Sequence, residues 1–98
     1  MRREYQIKEL RINGKVINKV IIDEHVDKHV DHIDDSLVLK IVTLLDGRDF
    51  TPIRNQDGFN YFATNINYEC KCYKLVWLLE NDYFYIGVIT LFRDRRLE

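Results

Sequence analysis

The sequence predicts an α+β domain: an N-terminal β-hairpin, then two helices packed on a C-terminal antiparallel sheet, in the order ββααβββ. Three observations predict it. Two β-rich runs, Tyr5 to Ile12 and Lys15 to Ile22, flank Asn13-Gly14, the pair that best tolerates the positive φ angles of a two-residue type I′ turn. A nearly continuous apolar run, Leu37 to Leu45, follows Ser36 and precedes Gly47, which reads as a capped, mostly buried helix. Three further β-rich runs fill most of the chain from Phe59 to Arg93.

The elements follow in order. After the opening hairpin, Asp23 to Ile33 has helical periodicity: Ile22, Val26, Val30 and Ile33 form an apolar stripe and Asp23, Asp27, Asp31 and Asp34 an opposite charged side. Asp34 and Asp35 break this first helix. The second, Leu37 to Leu45, leaves chiefly Lys40 and Thr43 for solvent, so it is scaffold lying across a sheet. Arg48 to Gly58 contains Pro52 and ends in Asn55-Gln56-Asp57-Gly58, a loop with a short extended piece. Phe59 to Ile66, Cys70 to Glu80 and Tyr83 to Arg93 are strands of an antiparallel meander. A two-residue turn at Asn81-Asp82 would set Leu79 against Phe84, Trp77 against Ile86, Leu75 against Val88 and Tyr73 against Thr90.

Length and composition bound the function. Ninety-eight residues, 46% hydrophobic and 12% aromatic, make one domain, residues 1–96, with Leu97 and Glu98 reading as a cloning remnant. The formal net charge is −1, which does not suit electrostatic capture of bulk nucleic acid. Six Lys/Arg against two Asp/Glu in residues 1–20 make a basic end, and four against nine in residues 21–68 an acidic middle. No run approaches the roughly 18 apolar residues of a membrane span, and no apolar core follows Arg2-Arg3-Glu4, so the expected location is cytoplasmic. Neither a phosphate-loop pattern nor a dinucleotide fingerprint occurs; with four glycines in all, no cofactor is expected.

Chemistry concentrates where the histidines do. His25, His29 and His32 are spaced by four and three, which sets all three imidazoles on one helix face at the border of the buried stripe. If the helices cover the Trp77 face of the sheet, this stripe can meet the hydroxyls of Tyr73 and Thr90. Two other arrangements are open. His25 and His29 with Cys70 and Cys72 supply four metal ligands, but Cys-x-Cys on a regular strand lacks the turn that aims two thiolates at one ion, and no metal is expected. Alternatively the chain is a non-catalytic protein-interaction module, docking a partner through Tyr61, Tyr83, Phe84 and Tyr85 or through an edge strand.

The order of a His-bearing helix, a second helix and a sheet ending in Tyr85-Ile86-Gly87-Val88-Ile89-Thr90-Leu91-Phe92-Arg93 resembles the barnase/RelE-like group of small nuclease and toxin domains, in its phage-associated and uncharacterised branches. Glu24-His25, Lys28-His29, the Phe59 to Phe62 run and Tyr73-Lys74-Leu75-Val76-Trp77 come in the same order, so the likeness spans residues 23–96. It implies metal-independent RNA cleavage, with the 2′-hydroxyl attacking the adjacent phosphorus, and RNA or a cognate antitoxin as partner. His29, then His25, suit acid/base work near neutral pH. Arg93 and Arg54 suit phosphate contact, and Thr90 and Tyr73 the orientation of a phosphate oxygen. The sequence departs from the group in its slight acidity, in the aspartates around the histidines, and in an N-terminal hairpin without a counterpart.

Overall fold

A computed structural model describes residues 2–24, 33–82 and 84–97. Strands β1 (Arg3–Ile12), β2 (Lys15–Ile22), β3 (Arg54–Gln56), β4 (Phe59–Tyr68), β5 (Lys71–Glu80) and β6 (Ile86–Arg93) form one sheet in the order β1-β2-β6-β5-β4-β3. Helix α1 (Asp35–Thr43) lies between β2 and β3 in the chain, and a 3₁₀ turn, Arg95–Leu97, follows β6. The hairpin turns are set by local chemistry. Asn13 and Gly14 have φ of 51° and 77°, and Asp57 and Gly58 of 55° and 83°, the positive pairs that a type I′ turn requires.

The predicted ββααβββ architecture is corrected on two counts. Among the described residues there is one α-helix, not two, and residues 25–32, most of the stretch where the first helix is expected, lie outside them. The N-terminal hairpin, moreover, is part of the main sheet. Val20, Ile21 and Ile22 pair in parallel with Ile86, Gly87 and Val88, so the sheet is mixed and continuous through six strands. Alternation of apolar residues shows which face of a strand is buried but not which strand lies beside it, and the parallel join left no local mark.

The sheet curls, and α1 fills its concave side. Val38, Ile41 and Val42 of the helix are buried against Ile12, Val20, Ile22, Leu75, Trp77, Leu79, Ile86 and Leu91. The helix begins two residues earlier than Ser36 implies, because Asp34 is the N-cap and its Oδ1 accepts the Leu37 N–H at 2.9 Å. The segment after α1 ties the two ends of the sheet together. Gly47 N–H donates to Arg11 O at 2.7 Å, Phe50 N–H to Asn13 Oδ1 at 2.6 Å, and Ile53 N–H to Tyr61 O at 2.7 Å. Phe50 thereby places its ring edge-on to Trp77, 5.2 Å between centroids, while Phe62 stacks on the same indole at 4.2 Å. The indole N–H is satisfied by Thr64 Oγ1 at 3.0 Å, so the largest core side chain buries no unmet donor.

The β5–β6 register also differs from the expected one. The connection runs from Asn81 through Tyr85, which pairs Leu79 with Ile86 and Trp77 with Val88, and an irregularity between Val76 and Trp77 then pairs Val76 with Thr90 and Tyr73 with Arg93. Trp77 and Val88 share the core face as paired residues must. Past the bulge the side chains of β6 change sides.

Candidate functional site

The outer, convex face of the sheet carries the site. Cross-strand pairs share a face, so Ile21 of β2, Gly87 of β6, Leu78 of β5 and Tyr61 of β4 form a row across it: Ile21 pairs with Gly87, Gly87 with Leu78, and Leu78 with Tyr61. The row is apolar at a position where an outer face is ordinarily polar. Gly87 is its lowest point. With Phe59, Tyr85, Val88 and Ile89 around it and Arg2 and Asp23 at the rim, the row lines a half-open pocket of about 140 Å³.

Gly87 is required by close packing, not by its backbone angle. A Cβ there would fall 2.7 Å from Leu78 Cδ1 and 2.9 Å from Leu78 Cγ, both inside contact distance. Leu78 therefore lies across the glycine and lines the pocket from the side. On the far wall the Arg54 guanidinium sits 4.6 Å from the centroid of the Tyr61 ring, a cation–π contact of about 0.5–1 kcal/mol at an exposed site that holds the ring's orientation. Burial, then the Glu80 carboxylate, push the Tyr85 hydroxyl above the usual tyrosine range; Arg2 acts in the opposite sense and Tyr61 adds to the rise. Tyr85 is thus a neutral donor at physiological pH. The walls are apolar and aromatic, with a phenol, a guanidinium and a carboxylate at the mouth, the usual make-up of a small-ligand or anchor-residue pocket.

Each residue expected in a site has a definite place, with two exceptions. His25 and His29, with His32, lie outside the described residues. Tyr73 is buried on the core face, opposite Arg93 at the end of β5. Thr90 pairs with Val76 on the outer face, so the bulge separates the two hydroxyls that a regular hairpin would have paired. Arg93 shares the face of Tyr73, whereas Arg54 is on the outer face against Tyr61. The four described residues of the expected set are therefore divided between two faces. Cys70 is in the β4–β5 turn with φ of 64°, and Cys72 is buried on β5, so the two thiols do not share a regular strand. Among the described residues no group of three or more His, Cys, Asp or Glu side chains converges to hold a metal.

Of the aromatics expected at an interaction surface, Tyr61 and Tyr85 line the pocket and Phe84 is 63% exposed beside Tyr85 in the chain; Tyr83 lies outside the described residues. The residues missed by sequence reasoning include Ile21, Phe59, Leu78, Gly87 and Ile89 of the pocket and Arg2 and Asp23 at its rim. One signal was available for them. A glycine inside the run from Tyr85 to Phe92 marks close approach of a neighbour or ligand, and Gly87 is such a glycine. Among the described residues no helix is long and apolar enough to cross a membrane. No family model, no curated protein and no solved structure matches the chain.

Proposed function

We propose that this protein is a non-catalytic interaction module that seats one aromatic side chain of a partner protein in the pocket on the outer face of its sheet. The observation that carries the reading is the pocket itself: about 140 Å³, against the roughly 150 Å³ of a cavity that holds a single benzene ring. Phe59, Tyr61, Leu78 and Ile89 supply apolar walls, and the neutral Tyr85 hydroxyl with Arg2 and Asp23 supplies polar groups at the mouth. Buried aromatic anchors of this kind dominate the energetics of protein interfaces.

The nuclease reading remains a proposal of the histidine pattern. It rests on His29 and His25, with RNA as substrate, while among the described residues Tyr73, Thr90, Arg54 and Arg93 are divided between two faces of the sheet. One set of measurements separates the two. Titration of p-cresol and 3-methylindole into the ¹⁵N-labelled protein is expected to shift the amides of Tyr61, Leu78, Gly87 and Ile89, and Gly87→Ala, whose methyl group forces the Leu78 wall of the pocket to shift, is expected to abolish the shifts. The same preparation, incubated with labelled structured RNA in EDTA, is expected to leave it intact. RNA cleavage lost in His29→Ala, with no response to the ring probes, would replace this reading by the nuclease one.

A further inference from the structure

A second surface, on the other side of the molecule, has the form of a strand-accepting groove. Among the described residues β1 is an edge strand of the sheet, and an edge strand presents backbone N–H and C=O groups outward as a template for another strand. Beside it runs a groove of about 510 Å³ between β1 and α1, with Tyr5 and Ile7 as floor, Leu39 as wall, and Lys8 and Lys40 on the two rims. Among the described residues that line it the acidic one, Asp35, is engaged: Arg3 Nε and Nη2 donate to its carboxylate at 2.7 and 2.9 Å, and the Tyr5 hydroxyl donates to it as well. Among those described lining residues the two lysines thus set the sign of the rims.

The chain already uses this edge for the same purpose. At the C-terminal end of β1, Arg48 bridges Ile12 in parallel, Gly47 N–H donates to Arg11 O at 2.7 Å, and Arg11 N–H donates to Asp46 Oδ1 at 2.7 Å. A short segment carrying an acidic side chain thus docks on the edge of β1 where the groove ends. The β1–β2 register shifts between Gln6 and Leu10, and that bulge turns the strand, which guards against indiscriminate sheet-to-sheet association. A lone peptide is less restricted than a second sheet.

The geometry points to an extended acidic peptide as the occupant, added as a strand along β1 between Glu4 and Glu9, with alternate apolar side chains on Ile7 and Leu39 and the intervening carboxylates at Lys8 and Lys40. Main-chain hydrogen bonds would supply affinity, and the groove and the lysines specificity, as in other strand-addition complexes. This inference is independent of the outer-face pocket.

The test uses an acetylated, amidated eight-residue peptide alternating valine with glutamate, and a second alternating valine with lysine, each followed by fluorescence anisotropy and by ¹⁵N amide shifts. The glutamate peptide is expected to bind and to shift amides from Glu4 to Glu9, the lysine peptide to bind at least tenfold more weakly. Binding should fall at least tenfold in the double variant Lys8→Glu, Lys40→Glu, whose exposed positions leave the far-ultraviolet circular dichroism unchanged. N-methylation of alternate peptide amides should also remove it. Equal binding of the two peptides, undiminished binding to the double variant or to the N-methylated peptide, or shifts confined to the outer face would overturn the proposal. So would sedimentation showing that a second copy of this chain occupies the β1 edge and excludes the peptide.

Discussion

At the scale of single residues, three two-residue turns do the same work with different chemistry. Asn13-Gly14 and Asp57-Gly58 meet the positive-φ requirement with residues that suit it. Glu69-Cys70 meets it with φ of 50° and 64° in residues that carry a Cβ and have no local reason to adopt the left-handed region. Tyr68 pairs with Lys71 across that turn, so the long β4–β5 ladder imposes the conformation. Replacing the pair by Asn and Gly, Glu69→Asn with Cys70→Gly, is expected to stabilise the fold by about 1 kcal/mol, read as a higher urea midpoint with an unchanged slope. The legibility of the turns follows the same line. Where the residues carried turn chemistry the turn could be read from the sequence, though only Asn13-Gly14 was legible as a hairpin; where the ladder overrode them, Cys70 read as a strand residue. Gly87 is the converse, since its neighbour Leu78, and not its own backbone, makes it necessary.

At the scale of elements, α1 is held at its N-terminus by two adjacent aspartates with different tasks. Asp34 caps the helix through the Leu37 N–H, and Asp35 joins the helix to β1 through Arg3 and Tyr5. The hydrogen-bonded Arg3 guanidinium is the main cause that holds the Asp35 carboxyl below the usual carboxylate range, against burial, with Tyr5 assisting. The folded state thus favours the ionised form. The stability this adds is fully present above the ordinary carboxylate pKa of about 3.9 and is lost as the pH falls through the lower folded value. Asp35→Asn is therefore expected to lower the thermal midpoint by a constant amount from about pH 5 upward, with the gap to the unsubstituted protein closing on acidification. A gap that is the same at pH 3 and pH 7 would show that the carboxylate's charge contributes nothing. The helix was legible because a continuous apolar run with polar ends has few alternatives. Its cap was not, because Ser36 and Asp34 are both good caps and only the path of the preceding chain distinguishes them. The same limit applied to β6: alternation identified Trp77 and Val88 as core residues, while the bulge that moves Thr90 away from Tyr73 depends on strand pairing at a distance.

At the scale of the whole molecule, the parallel contact of β2 with β6 makes one sheet and one core out of the N-terminal hairpin and the C-terminal meander. Trp77 is at the centre of that core, fully buried and in ring contact with both Phe62 and Phe50. Trp77→Ala is expected to cost about 3–5 kcal/mol, a large share of the roughly 5–15 kcal/mol that holds a domain folded, and in the unsubstituted protein indole fluorescence and circular dichroism should report one coincident urea transition. Separate transitions would mean that the hairpin and the meander fold as independent units. The continuity of the sheet also makes the outer face a single surface, because the row Ile21, Gly87, Leu78 and Tyr61 crosses four strands drawn from both halves of the chain. No stretch of sequence shows that row, since its members are brought together only by pairing. A ring seated on this row, as proposed, comes within reach of its methyl groups, and intermolecular nuclear Overhauser effects from bound p-cresol read that contact. Cross-peaks are expected from the ring protons to the methyl groups of Leu78, Ile21 and Ile89, and are expected to be absent in Gly87→Ala. Cross-peaks to Leu39 in the β1–α1 groove instead, or none at saturating p-cresol, would contradict that seating.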